Sequence, residues 1–231
     1  MGYNEYLFID YGLPFLGLLI TAIAQIIVTS NYNKYRIEHT RKNITGASVA
    51  RQILDKNGLK EVKIEKISGN LTDHYNPKNK TVSLSEDIYD GTSIASISVA
   101  AHECGHAIQH KEGYIFLKIR SFLVPFTNFS TKIGYFVVVI GLIFNLLGVA
   151  KFGIYLLLVI LLFQLVTLPV EFNASSRAKK QLNKLNIVTE DEDSGVKSML
   201  LAAAFTYVAS LVSTLLQILR LALIVFSRND D

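Results

Sequence analysis

Four long apolar runs divide the chain, and each approaches the length that a helix needs to cross a bilayer. They cover residues 7–29, 133–150, 152–170 and 199–226. A membrane-spanning helix requires roughly 20 mostly apolar residues at about 1.5 Å rise each. Lys151 separates the second run from the third, which indicates a short hairpin. The pattern predicts a mainly α-helical integral membrane protein with four transmembrane helices, and a buried helix of a soluble protein is the alternative for any single run.

The segment between the first two runs, residues 30–132, has the mixed pattern of a water-soluble region. Residues 45–57 predict a helix with Thr45 as its N-cap, and residues 93–110 predict a second helix that is rich in small side chains. Residues 115–129 are apolar but contain two basic residues and a proline, so we expect them to lie at the membrane interface or against the soluble region rather than to span the membrane.

The same segment also contains two predicted strands. Residues 62–68 alternate between apolar and polar side chains, and residues 81–85, TVSLS, do so over a shorter length. The sequence NPKN between them is typical of a turn. The membrane helices therefore carry a small α+β insertion.

Composition and net charge exclude some further classes of protein. Hydrophobic residues make up 50% of the chain, and the net charge is only +4 because basic and acidic residues share the same segments. A nucleic-acid-binding protein usually gathers its basic residues into one patch, so no nucleic-acid partner is expected. Cys104 is the only cysteine, which excludes an intramolecular disulfide. The N-terminus lacks the basic start of a signal peptide, so the first run is expected to remain as an anchor.

The distribution of basic residues predicts the orientation in a cell membrane. Of the 23 Lys and Arg residues, 15 lie in residues 30–132 and 5 in residues 171–198. By the positive-inside rule both segments are cytoplasmic. The predicted organisation is an N-terminal anchor, a cytoplasmic α+β region, a transmembrane hairpin, a second cytoplasmic segment and a C-terminal helix with its tail (1–29, 30–132, 133–170, 171–198 and 199–231).

The predicted helix over 93–110 contains the motif H-E-x-x-H at His102, Glu103 and His106. Residues four apart lie on one face of a helix, so both imidazoles can reach a single zinc ion. The intervening glutamate suits a general base that takes a proton from water activated by zinc. The alternative is a pair of ordinary surface histidines.

A catalytic zinc site needs a third protein ligand. His110 lies about 12 Å from His102 along the helix axis, too far for the two to share one ion. Glu171 follows the third apolar run directly, and a carboxylate at the end of such a run is costly unless it is paired or binds a metal. A solvated glutamate at the membrane boundary is the alternative.

Three sequences, AAHECGHAIQ, LTDHYNPKNKTVSLS and LPVEFNASSRA, resemble the YugP-like membrane zinc metallopeptidases of bacteria. More distantly, they are similar to integral-membrane gluzincins of the HtpX and CAAX prenyl protease type. The resemblance implies a bacterial multi-pass membrane protease with one zinc ion per chain and Glu171 as its third ligand. In the distant relatives an Asp follows that Glu by four residues, whereas this chain has Ser175, so the Ser175 hydroxyl or a backbone carbonyl is expected to orient the zinc-bound histidine.

Other residues have possible roles at the same site. The resemblance places Asp73, His74 and Tyr75 near the cleft, where the strand over 81–85 could bind a substrate as an added strand; ordinary turn and strand chemistry is the alternative. Arg177 could stabilise the oxyanion of the transition state, or it could be a basic residue at the membrane boundary. Cys104 is expected only to pack.

These features together predict a zinc-dependent metalloendopeptidase that cuts membrane proteins or peptides near the cytoplasmic face, in contact with the lipid bilayer. One alternative is a zinc-stabilised scaffold or chaperone, which would not need Glu103. A zinc transporter is disfavoured, because the apolar runs contain Gln25, Gln164 and Arg220 but no chain of acidic residues or histidines.

Overall fold

The structure is a computed structural model that describes residues 7–227. It is mainly helical, with a small three-stranded sheet formed by residues 63–85 of the chain. The helices are α1 (Leu13–Tyr35, preceded by a π-helical turn at Phe8–Gly12), α2 (Gly46–Lys56), α3 (Glu86–Tyr89), α4 (Ile94–Lys111), α5 (Ile115–Ile143), α6 (Leu147–Lys184) and α7 (Glu190–Ser227). The strands are β1 (Lys63–Ile67), β2 (His74–Asn76) and β3 (Thr81–Ser85).

Four of the described helices are long and apolar enough to cross a membrane, which confirms the predicted fold class. The chain divides into two compact units. The first contains residues 7–25, 118–168 and 206–227, and the second contains residues 26–117 and 169–205.

Two helices of the second unit have N-caps whose side chains accept backbone hydrogen bonds. Thr45 caps α2 by accepting a hydrogen bond from the Ser48 amide at 3.2 Å, as predicted. Ser93 caps α4 in the same way through the amide of Ser96 at 3.1 Å. The apolar faces of these helices pack into a core whose large buried side chains contribute about 1.5–3 kcal/mol each. Among them are Ile53 and Leu54 of α2, Leu84 of β3, Ile88 of α3 and Ile97 of α4.

The sheet of this unit has the strand order β1-β3-β2, with β1 parallel and β2 antiparallel to β3. The sequence predicts β1 and β3 but not β2, which is only three residues long. The expectation that the strand over 81–85 accepts a substrate is wrong, because β3 is the central strand and already pairs on both sides. The strand edge that contacts α4 is β2, whose Tyr75 hydroxyl lies 2.9 Å from His110 Nδ1.

The first unit consists of segments of the four long helices. Where α5 and α6 meet, Gly141 lies so close to Ala150 that a Cβ on the glycine would be 2.4 Å from the Ala150 nitrogen. The polar residues of the apolar runs have partners in this unit: Gln164 donates to Ser210 and Thr214, and Arg220 pairs with Asp10 at 3.8 Å. Pairing of this kind offsets the cost of polar groups within apolar helices.

Two details of the predicted spans are wrong. Residues 115–129 are not a separate interfacial segment, since they form the first half of the continuous helix α5. The cation of Arg120 lies over the Phe163 ring at 5.9 Å, which gives one of the interrupting charges a favourable neighbour. The hairpin turn lies at residues 144–146, and Lys151 is inside α6, where its ammonium lies over the Phe226 ring.

Candidate metal centre

Helix α4 presents the two motif histidines one turn apart on the same face. The rings of His102 and His106 meet edge to face with their centroids 4.8 Å apart. Both side chains are mostly buried, with exposed fractions of 16% and 11%. Because α4 packs its other faces into the core, the two imidazoles have little freedom to turn away from each other.

Helix α6 brings the third group to this pair. A Cβ on Gly105 would lie 2.5 Å from the Ala174 carbonyl oxygen, so α4 and α6 are in backbone contact beside the motif. Glu171 lies one turn before Ala174 on α6 and is only 2% exposed. The close approach therefore points a buried carboxylate at the two histidines.

The three side chains fit a zinc ion. Glu171 Oε2 lies 3.2 Å from His102 Nε2 and 3.5 Å from His106 Nε2, and the ligand atoms of the three residues all lie within 4.8 Å of one another. Two atoms that each lie about 2.0–2.2 Å from a tetrahedral zinc are about 3.3–3.6 Å apart. Two imidazoles and one carboxylate are also a donor set of catalytic zinc sites.

The charged groups of this cluster lie close enough to change one another's pKa values. Burial lowers the pKa of His106, but the hydrogen bond that His106 donates to Glu171 and the charges of Glu103 and Glu171 outweigh burial, so the pKa of His106 is raised overall. Glu103 itself is 8% exposed. Two carboxylates beside two imidazoles make a site that favours a cation.

The ring nitrogens that face away from Glu171 have partners of their own. His102 Nδ1 lies 3.1 Å from the Ser175 hydroxyl, the contact that the sequence predicted as one of two possibilities. His106 Nδ1 lies 3.0 Å from Gln109 Oε1. The sequence motifs do not single out Gln109, although its position three residues after His106 places it on the same face of α4.

The other predicted site residues lie around this cluster. The Asp73 carboxylate accepts hydrogen bonds from the Ser85 amide at 2.7 Å and the Ser85 hydroxyl at 3.1 Å, which fixes the start of β2. Burial raises the pKa of Asp73, and the charge of Glu103 adds to this. The exposed His74 ring contacts the Thr72 carbonyl, and His110 contacts Tyr75, so neither belongs to the cluster of His102, His106 and Glu171.

Arg177 and Cys104 have contacts that explain their presence. The Arg177 guanidinium donates to Asn173 Oδ1 at 2.7 Å and pairs with Glu112 at 2.7 Å, which favours a structural role over an oxyanion-binding one. Cys104 is fully buried in the core, and burial raises the pKa of its thiol well above the usual range. This agrees with a packing role for Cys104.

A helical membrane protein with an H-E-x-x-H helix and a glutamate from a second helix belongs to the class of membrane zinc metallopeptidases. Residues 11–226 match the family described as "Putative neutral zinc metallopeptidase", and the chain belongs to that family. It is 43% identical to "Putative membrane protease YugP" of Bacillus subtilis (strain 168) over 225 residues, which cover 97% of this chain and 99% of that protein. No solved structure matches the chain.

Proposed function

We propose that this zinc metallopeptidase is an endopeptidase that cuts membrane proteins or peptides near the cytoplasmic face, with one zinc ion held by His102, His106 and Glu171. The observation that carries the proposal is the convergence of these three ligand atoms within 4.8 Å of one another, with Glu171 Oε2 at 3.2 and 3.5 Å from the two Nε2 atoms. Residues 69 positions apart in the chain meet there, and a buried carboxylate without a countercharge would be costly.

Zinc, when bound, acts as a Lewis acid that makes water more acidic and polarises a carbonyl group. The Glu103 carboxylate follows His102 on α4 and acts as the general base. It takes a proton from the attacking water while the water oxygen bonds to the peptide carbonyl carbon. It then gives that proton to the amide nitrogen as the carbon–nitrogen bond breaks. The other water proton leaves the new carboxyl group, so the products are an amine, a carboxylate and a released proton.

The substrate lies along β2 as an added strand. In the described sheet β2 is an edge strand, and it is the edge that contacts α4. Backbone hydrogen bonds along an edge give affinity without demanding a particular sequence. Asp73 holds the beginning of this edge through Ser85, which gives the DHY sequence a positioning role rather than a chemical one.

The cytoplasmic location of the site rests on the distribution of charge. The site lies in the unit formed by residues 26–117 and 169–205, and these segments contain most of the basic residues. Basic segments that flank membrane helices remain on the cytoplasmic side. Substrates that are exposed at that face of the membrane are therefore the ones that can reach the site.

The test compares the full-length chain and its Glu103→Gln variant, both purified in detergent. We expect each protein to bind one zinc ion, and the wild type to cleave peptides at least 100-fold faster than the variant, because a general base contributes about 10²–10⁴-fold. Equal cleavage by both would refute the role of Glu103. Stoichiometric zinc with no cleavage of a broad peptide panel by the wild type would favour the scaffold.

A further inference from the structure

Gln109 contacts both of the helices that supply zinc ligands. Its side chain is fully buried on α4, one turn after His106. Its amide nitrogen donates to the Val170 carbonyl oxygen at 2.8 Å and to Asn173 Oδ1 at 2.9 Å, both on α6. Its amide oxygen lies 3.0 Å from His106 Nδ1. Val170 directly precedes Glu171, so one amide touches a ligand on α4 and the backbone beside a ligand on α6.

These contacts determine which nitrogen of His106 carries the proton. A backbone carbonyl can only accept, so the Gln109 atom that faces Val170 must be the nitrogen. The Gln109 atom that faces His106 is then the oxygen, which can only accept, and His106 Nδ1 must carry a hydrogen. In neutral imidazole the other nitrogen then holds the lone pair. His106 Nε2 is the atom that faces Glu171.

Ser175 does not constrain His102 in the same way. A hydroxyl can donate or accept, so its contact with His102 Nδ1 is compatible with either tautomer. The two zinc histidines therefore differ: a backbone carbonyl fixes the tautomer of His106 through Gln109, whereas the partner of His102 adapts to the ring.

The contacts of Gln109 continue to the surface. Asn173 Oδ1 also accepts from Arg177 Nε at 2.7 Å, and Arg177 pairs with Glu112 at 2.7 Å. The hydrogen bond and charge of Arg177 lower the pKa of Glu112. Two donors converge on Asn173 Oδ1, which fixes the orientation of that amide and holds Gln109 in place.

We propose that Gln109 is a positioning residue that presents His106 Nε2 as the metal-binding atom and holds α4 against α6. This inference rests on the proposed zinc site. It assigns a role to a residue that is neither part of the H-E-x-x-H motif nor the proposed third ligand. A hydrogen-bond acceptor on the distal nitrogen of a zinc histidine typically changes metal affinity about 10–100-fold. Here the acceptor is the Gln109 amide, which also donates hydrogen bonds to α6, the helix that carries Glu171.

The test measures zinc affinity by competition with a chelator of known affinity, using the full-length protein in detergent. Gln109→Leu removes both functions of the amide, and we expect its zinc dissociation constant to rise about 10–100-fold. Gln109→Glu keeps an acceptor for His106 but loses both donors to α6. We expect it to melt at a lower temperature than the wild type, as Gln109→Leu does, but to bind zinc within about fivefold of the wild type if the acceptor sets metal affinity.

Gln181→Leu is the matched control. Gln181 lies further along α6 and donates to Asn57 Oδ1 at 3.2 Å, so this variant loses a hydrogen bond between α6 and the C-cap residue of α2 that does not involve a zinc ligand. We expect wild-type zinc affinity and an unchanged visible spectrum of the cobalt(II) form. That spectrum should change in Gln109→Leu, because it reports ligand geometry.

Two outcomes would overturn the inference. Wild-type zinc affinity in Gln109→Leu would show that the amide does not position His106. Equal losses of zinc affinity in Gln109→Leu and Gln109→Glu would show that only packing matters. If Gln109→Leu does not fold, Asn173→Leu takes its place in the comparison with Gln109→Glu. A wild-type protein that binds no zinc would instead refute the proposed function, which is a separate result.

Discussion

The backbone of Gly105 contacts the carbonyl of Ala174, and this contact sets the distance between the two helices that carry the proposed zinc ligands. A Cβ on Gly105 would lie 2.5 Å from the Ala174 oxygen and 3.1 Å from its carbonyl carbon. Both atoms are backbone, so neither can move aside as a flexible side chain could. The glycine inside the H-E-x-x-H motif is therefore required by the close approach of α6, which carries the proposed third ligand, rather than by the helix that contains it.

Gly105→Ala is expected to separate α4 from α6 and to weaken zinc binding. Overpacking of this kind costs about 1–3 kcal/mol or more, and a displacement of Glu171 from the histidines removes one of three ligands. We expect a zinc dissociation constant at least tenfold higher and a lower melting temperature, both measured in detergent.

Gly148→Ala provides the control for that substitution. Gly148 also lies in α6, but a Cβ there would have no neighbour within 4 Å. Alanine favours a helix over glycine by about 1 kcal/mol, so this variant should be as stable as the wild type or more stable, with unchanged zinc affinity. Wild-type zinc binding by Gly105→Ala would contradict the proposed role of the contact.

The sequence predicts the parts of the site that depend on local periodicity. His102 and His106 lie four apart in a segment that the sequence predicts as a helix, and this spacing can be recognised without a tertiary structure. The role of Glu171 cannot be predicted from local sequence alone, because no pattern within α6 shows that the Glu171 side chain faces α4. The resemblance to the membrane zinc metallopeptidases supplied that step, and the Gly105–Ala174 contact gives its physical reason.

The features that were missed depend on tertiary contacts or on very short elements. Strand β2 has three residues between two turns, too few for an alternating pattern. Gln109 is an ordinary polar residue near a helix end until α6 covers it. The first half of α5 contains Lys118, Arg120 and Pro125, and a pattern of apolar residues alone does not show that Arg120 lies over an aromatic ring.

Glu171→Gln is expected to abolish tight zinc binding. The amide retains the shape of the side chain but loses the charge that two imidazoles and a divalent cation require, and Glu171 is only 2% exposed. We expect at least a 100-fold rise in the zinc dissociation constant and no peptidase activity. Glu192→Gln is the matched control, because Glu192 is also a buried carboxylate in the same unit but accepts from backbone amides of Arg41 and Thr189.

Zinc binding that is equal in Glu171→Gln and the wild type would show that the third ligand lies elsewhere. If Glu192→Gln loses zinc to the same degree, the loss in Glu171→Gln reflects general destabilisation of the unit. The two variants together therefore separate ligation from folding.

Asp73 is expected to make stability depend on pH. Burial, followed by the charge of Glu103, raises the pKa of Asp73 above the value of about 3.9 found in unfolded chains. The folded protein then binds a proton that the unfolded chain has already lost. The contribution to stability is fully present below the unfolded pKa and is lost as the pH rises through the folded pKa.

Thermal unfolding of the metal-free protein between pH 4 and 7 tests this effect. Asp73→Asn cannot titrate, so the melting temperature of the wild type should fall relative to that of the variant as the pH rises from about 4. Parallel pH profiles for the two proteins would show that Asp73 titrates as an ordinary surface aspartate. The Asn side chain retains an oxygen that can accept from the Ser85 amide, which limits unrelated structural change.

Ser175→Ala is expected to weaken zinc binding less than Gln109→Leu does. The Ser175 hydroxyl lies 3.1 Å from His102 Nδ1, and the His102 side chain is more exposed than that of His106, so water can replace the hydroxyl. Gln109 is fully buried, and no water can take its place without opening the contact between α4 and α6. The difference should appear as a dissociation constant for Ser175→Ala within about tenfold of the wild type. If Ser175→Ala instead shows the larger loss, His102 is the histidine whose orientation limits zinc affinity, and the hydroxyl replaces in full the carboxylate that the distant relatives carry at this position.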